Sequence, residues 1–237
     1  MSASADSILT HLRTVDAERR RRAASPELAV RVHGLKAYQQ RRFAHGYEDL
    51  LRSTRYGPAA RFFLDELYGP RDFSERDAQF ARVVPALVRL FPQEIVATVD
   101  VLAELHALSE VLDTATAGHL ADAHVDAAGY VRAWQTTGHA ADREMQVALT
   151  LRVGESLDRL TRNPLLRHTL RMMRGPAKAA GLGELQRFLE SGFDTFKAMN
   201  GAREFLATVG SRERAFGRAL FSADPGHLGD IALGQLP

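Results

Sequence analysis

From Ile95 to Leu112 the apolar residues Ile95, Val99, Leu102, Leu105, Leu108 and Leu112 fall three or four positions apart, and that spacing governs nearly the whole chain. Steps of three and four return to one side of an α-helix, whereas a half-buried strand needs alternation at every second residue. The chain has almost no alternating run, and no Asn-Gly or Asp-Gly pair stands between two such runs as a hairpin turn would. The expectation is an all-α fold, a single-domain bundle of about eight to ten helices.

Gly, Pro and small polar residues mark the expected boundaries. A first helix runs from about Ala5 to Arg22, and Ser25-Pro26-Glu27 starts a second, reaching about Arg52. In "YGPAARFFLDELYGPRDFSERD" the residues Phe62, Phe63, Leu67 and Tyr68 read as core, and Gly69-Pro70 as a helix stop. Ser74, three residues before Asp77, predicts a capping box for a helix from about Glu75 to Phe91, which Pro85 is expected to kink or split. Pro92 opens a long helix to about Ala117, and "DAAGYVRAWQTTG" gives a short one closed by Gly138. Residues 140–162 follow, with Met145, Leu149, Val153, Leu157 and Leu160 inward, then 165–174, a break at "RGPAKAAGLG", 183–199 and 202–221. The organisation expected is an N-terminal helix (1–24) that is partly exposed, an all-helical domain (25–221) and a flexible tail (222–237).

Composition narrows the chemistry. With no Cys, disulfides, thiolate metal sites and Cys nucleophiles are excluded. The N-terminus has no continuous apolar run of a secretion signal, and no window approaches 18 uncharged apolar residues, so a cytoplasmic protein without a transmembrane segment is expected. No phosphate-binding glycine loop, G-x-S-x-G elbow, Glu-x-x-His or His-Glu-x-x-His is present. Neither a nucleotide, a metal nor any other cofactor is therefore expected, and no set of nucleophile, base and oxyanion donor can be assembled.

Charge is distributed unevenly behind a net +2. Residues 1–91 carry net +5, residues 92–131 carry seven acidic groups and no Lys or Arg, and the remainder carries net +4. Within the acidic segment His106, Glu110 and Asp113 fall at i, i+4 and i+7, which reads as a solvated or partner-facing helix face, with Glu104 nearby. Arg167, Arg171 and Arg174 make a basic stripe at i, i+4 and i+7, which Lys178 extends only if the helix persists past Gly175-Pro176. Such a stripe meets an acidic partner or an acidic helix of its own chain, here most obviously the 92–131 segment. The four arginines of "ERRRR" read as a solvated helix end, and the near-neutral balance makes nucleic acid an unlikely partner.

"FFLDELYGPRDFSERDAQF", "ALSEVLD", "MRGPAKAAGLGELQRFLESGF" and "FLATVGSRE" together resemble a family of proteobacterial proteins a little over two hundred residues long. The resemblance spans about Tyr56 to Arg214 and implies a bacterial, all-helical, cytoplasmic protein; it carries over no catalytic residue.

The function expected is a non-catalytic interaction or regulatory protein. It would bind a protein partner or a second copy through Arg167, Arg171, Arg174, Glu104, Glu110 and Asp113. The alternative is a helical pocket for haem or another hydrophobic ligand, built from His106, His168, Phe62, Phe63, Phe188 and Phe193. A third reading, an enzyme using Glu104 or Glu110, requires one of those carboxylates to be buried in a cleft.

Overall fold

A computed structural model describes residues 4–66, 70–225 and 234–237. Among them are eleven α-helices and no strand: α1 (Ala5–Ala23), α2 (Pro26–Gly46), α3 (Glu48–Arg52), α4 (Gly57–Glu66), α5 (Ser74–Leu90), α6 (Gln93–Gly118), α7 (Ala127–Thr137), α8 (Ala140–Leu160), α9 (Pro164–Ala179), α10 (Gly183–Ala198) and α11 (Arg203–Ser222). They form one all-α bundle. Leu67, Tyr68 and Gly69, expected to be core and helix stop, lie outside the described residues, as does 226–233 of the tail.

Local chemistry explains many of the ends. Ser25 Oγ accepts from Leu28 N at 3.4 Å with Pro26 as the first helical residue, and Asn163 caps α9 the same way ahead of Pro164. Asp126 Oδ1 accepts from Gly129 N at 2.6 Å to start α7, and Gly138 ends that helix at φ +67°, a conformation glycine takes without strain. Several expectations need correcting, among them the second helix, which ends at Gly46 with Glu48–Arg52 a separate α3. Ser74 makes no side-chain cap; instead Asp72 Oδ1 accepts from Ser74 N at 2.8 Å, so the preceding residue supplies the acceptor. Pro85 does not split α5, and α9 runs through Gly175-Pro176 to Ala179. Proline removes one donor, and a helix survives that where its neighbours hold the turn. Met145, expected inward, is exposed on α8.

The 26-residue α6 is the axis, packed on α1, α2, α5, α7 and α8. Ala103, Ala107, Thr114 and Ala117 are buried along it, small side chains that let neighbouring helices approach closely. Three apolar clusters surround this axis. One joins Ile8 and Leu12 of α1 to Val84 and Val96. A second joins Leu35 and Tyr38 of α2 to Tyr130, Trp134 and Phe216, with Leu236 of the C-terminal residues packed against it. The third joins Phe43, Phe63, Phe196 and Phe205. Each fully buried large side chain stabilises the fold by about 1.5–3 kcal/mol. At the periphery α9 packs on α10, and α10 lies on α4 and α5.

Candidate functional site

The structure sorts the charged residues into an internal seam and an outer face. The seam begins on α1, where Arg19 and Arg22, one turn apart, face His106 and Glu110, one turn apart on α6. Asp77 of α5 accepts from Arg19 Nη2 at 2.5 Å and from His106 Nε2 at 2.8 Å. Glu110 Oε1 accepts from Lys36 Nζ at 2.6 Å, and its Oε2 lies in an ion pair 2.6 Å from Arg22 Nη2. Asp113 Oδ1 accepts from Gln39 Nε2 at 3.1 Å, and its Oδ2 lies 3.8 Å from Lys36 Nζ. Two more guanidiniums continue the seam: Arg143 bonds Thr116 Oγ1 at 2.7 Å beneath the Trp134 ring, and Arg42 bonds Glu213 at 2.6 Å beside Tyr47.

Burial alone raises a carboxyl pKa, and the seam overrides it selectively. Burial pushes the Asp77 carboxyl up, but the bonds from His106 and Arg19 and the charge of Arg76 outweigh it and hold the group at about 2. Glu110 follows the same pattern, burial against Lys36 and Arg22, and also falls to about 2. At Asp113 burial wins and the carboxyl is pushed up.

This arrangement corrects the reading of the acidic face. Glu110 is 5% and Asp113 8% exposed, so as placed they turn into the chain and not toward an external partner. Glu104 is half-buried on the same helix. Within residues 92–131, Glu110 and Asp113 are met from α1 and α2 and Glu94 from Arg159 of α8, not from the basic stripe. Half of "ERRRR" is internal too: Arg19 and Arg22 point in, while Arg20 and Arg21 pair with Asp16 and Glu18 on the exposed side of α1. Sequence reasoning missed Asp77, Arg19, Arg22 and Lys36. The available signal was the match of spacings, three on α1 against four on α6, each one helical turn.

The outer face is α9. Its Leu166, Leu170 and Ala177 turn toward the bundle, and Gln186 of α10 donates to Leu170 O at 2.6 Å. Arg167 pairs with Asp194 at 2.8 Å, and Arg174 grips Glu190 through two nitrogens, at 2.6 and 3.1 Å. That grip, with the bond from Gln186, lowers the Glu190 pKa. The stripe's internal partner is thus α10, its antiparallel neighbour. Arg171 and Lys178 make no ion pair among the described residues. Beside them Leu165 is 72%, Met172 65% and Met173 46% exposed, and Leu189 of α10 is exposed as well. The crevice between Arg171 and Phe193 measures about 10 Å³, room for no more than one water.

The residues proposed for an apolar ligand pocket do not line one cavity. Phe62 stacks on Phe188 at 5.6 Å, Phe63 meets Phe196 and Phe205 at 6.1 and 5.7 Å, and Phe193 is buried on α10. Phe62, Phe63 and Phe188 thus pack on other rings of the core. His106 is held by Asp77, His168 is exposed on α9, and neither lines the crevice at α9 or a groove beside α2. Glu104 and Glu110 line neither as well. Among the described residues no three His, Asp or Glu side chains are placed to hold a metal ion, and no helix is long and apolar enough to cross a membrane.

A family model described as a domain of unknown function, DUF8198, matches residues 18–227. No curated protein and no solved structure matches the chain.

Proposed function

The chain belongs to that family, DUF8198, and we propose that it is a non-catalytic interaction protein whose working face is the outer side of α9. The occupant proposed is an acidic amphipathic helix of another protein. One observation carries the reading: α9 leaves Leu165, Met172 and Met173 in solvent beside the unpaired cations Arg171 and Lys178, while Arg167, Arg174, Glu110 and Asp113 are paired within the chain. Large apolar side chains grouped on a surface mark interaction sites. A helix with four basic residues and no Asp or Glu of its own selects a partner carrying carboxylates. The same reading places the protein in a bacterial cytoplasm, on the resemblance of its "FFLDELYGPRDFSERD" stretch to a proteobacterial family.

The test is a photo-crosslinking residue at Met172, with one at Arg20 on the exposed side of α1 as the control, expressed in the native host. A discrete adduct to one protein at position 172 alone, weakened by Arg171→Glu with Lys178→Glu, supports the proposal. Adducts only between copies of the chain, or the same adducts at both positions, would sink it.

A further inference from the structure

Between α2 and the segment joining α6 to α7 lies a groove of about 530 Å³ that opens to solvent. Its size falls in the range of small-molecule sites, roughly 300–1,000 Å³. One wall is a single row on α2: Ala29, His33, Ala37 and Arg41, each four residues from the last, so small and nitrogen-bearing side chains alternate along it. The facing wall is Ala123, His124 and Val125.

The two walls meet at Gly34. A Cβ placed there would lie 2.1 Å from the backbone oxygen of Ala123, so the loop rests on the helix backbone, and only glycine allows it. The loop is anchored on both sides. Arg31 Nη1 donates to Leu120 O at 3.0 Å, and Asp122 Oδ1 accepts from His124 N at 2.6 Å. Asp126 is committed to the α7 cap. The nearest carboxylates of the loop are thus turned to backbone amides, and no Asp or Glu lines the groove. Its polar side chains are His33, His124 and Arg41, all three exposed at the rim and none in an ion pair among the described residues; its floor is alanine and valine.

We infer that this groove binds a small organic anion, whose single carboxylate or phosphate group is taken by Arg41, His33 and His124 and whose short apolar body lies on Ala29, Ala37 and Val125. Guanidinium and imidazole donors match the oxyanion, and charge-assisted bonds of this kind are the stronger ones. The site stands apart from α9 and does not depend on the role proposed for that helix.

The experiment is an amide NMR titration of the full chain with octanoate, octyl phosphate, octanol and inorganic phosphate. The Gly34, Ala123 and His124 signals serve as reporters. At least one of the two amphiphilic anions is expected to saturate these signals; which one does so identifies the headgroup. Octanol and inorganic phosphate, each lacking half of the recognition, should bind at least about tenfold more weakly. Arg41→Gln and His124→Ala lie at the exposed rim, so melting should be unchanged while the anion's affinity falls about tenfold in each. The inference is overturned if octanol binds as well as the anions, if neither anion saturates by about 10 mM, or if the two variants bind like the wild type.

Discussion

Removing the charge of Glu110 tests whether the internal seam holds the bundle together. In Glu110→Gln the side chain keeps its shape but leaves Arg22 and Lys36, both largely buried, facing an amide. Breaking a buried ion pair from one side costs about 3–5 kcal/mol, because the surviving charge stays desolvated. Two features set the value near the lower end. Lys36 keeps Asp113 at 3.8 Å, and Arg22 keeps Thr114 Oγ1 at 3.0 Å. A loss of about 3 kcal/mol in a chain of this size lowers the melting temperature by about 6–12 °C. Urea titration followed by helical ellipticity, together with a melt, measures it. Asp16→Asn is the control, since its pair with Arg20 is exposed on both sides and should contribute under about 0.5 kcal/mol. Adding Lys36→Met to Glu110→Gln should recover part of the loss, about 1 kcal/mol, by removing a buried ammonium left with only Asp113 at 3.8 Å, although Lys36→Met alone destabilises. If Glu110→Gln costs no more than Asp16→Asn, the seam behaves like surface charge and the reasoning fails.

Acid should weaken the fold in a defined window. Asp77 and Glu110 both titrate lower in the fold than in the unfolded chain, so their contribution is complete above the ordinary carboxylate range and is lost as pH falls from 4.5 toward 2. Each loss is on the order of 2–3 kcal/mol. Asp113, pushed up by burial, has the opposite sign and returns part of that loss as it protonates. Urea midpoints read from the single Trp134 should therefore drop between pH 5 and 3; a flat profile contradicts the assignment. Gly34→Ala forces a backbone shift against Ala123 O and should cost about 1–3 kcal/mol. Gly154→Ala meets only side-chain atoms of Leu206, Cδ2 at 2.4 Å foremost, which can shift where a backbone oxygen cannot; it should cost less, so equal melts would refute the distinction. At the start of α5, Asp72→Ala should cost about 0.5–1 kcal/mol and Ser74→Ala less, the reverse of what a capping box at Ser74 requires.

The helices were legible in the sequence because period and caps are local. Ser25-Pro26, Asn163-Pro164 and Gly138 each act within one turn of their own position, and each lies at the boundary it predicts. Gly175-Pro176 misled because a proline's effect depends on what holds the surrounding turn, and here Lys178 stays on the stripe of α9. Charge pairing was the least legible property. Arg19 and Asp77 stand 58 positions apart and Lys36 and Glu110 stand 74 apart, so nothing local says which basic helix an acidic one meets. The pairing of Arg167 and Arg174 with α10 follows from an antiparallel hairpin, which becomes visible once the α9–α10 turn is known to be short. Four of the aromatic residues suspected as a pocket, Phe62, Phe63, Phe188 and Phe193, do gather around α4 and α10, but apolarity alone does not distinguish a filled core from a lined cavity.

The division between an internal scaffold and an external working face is tested most directly by one paired reading on the double variant Leu165→Glu with Met172→Glu, with the crosslinking residue moved to Met173. Both substituted side chains stand in solvent, so the melt should stay within about 2 °C of wild type while the crosslinked partner is lost. An unchanged adduct, or a melt that falls as far as that of Glu110→Gln, would contradict the account.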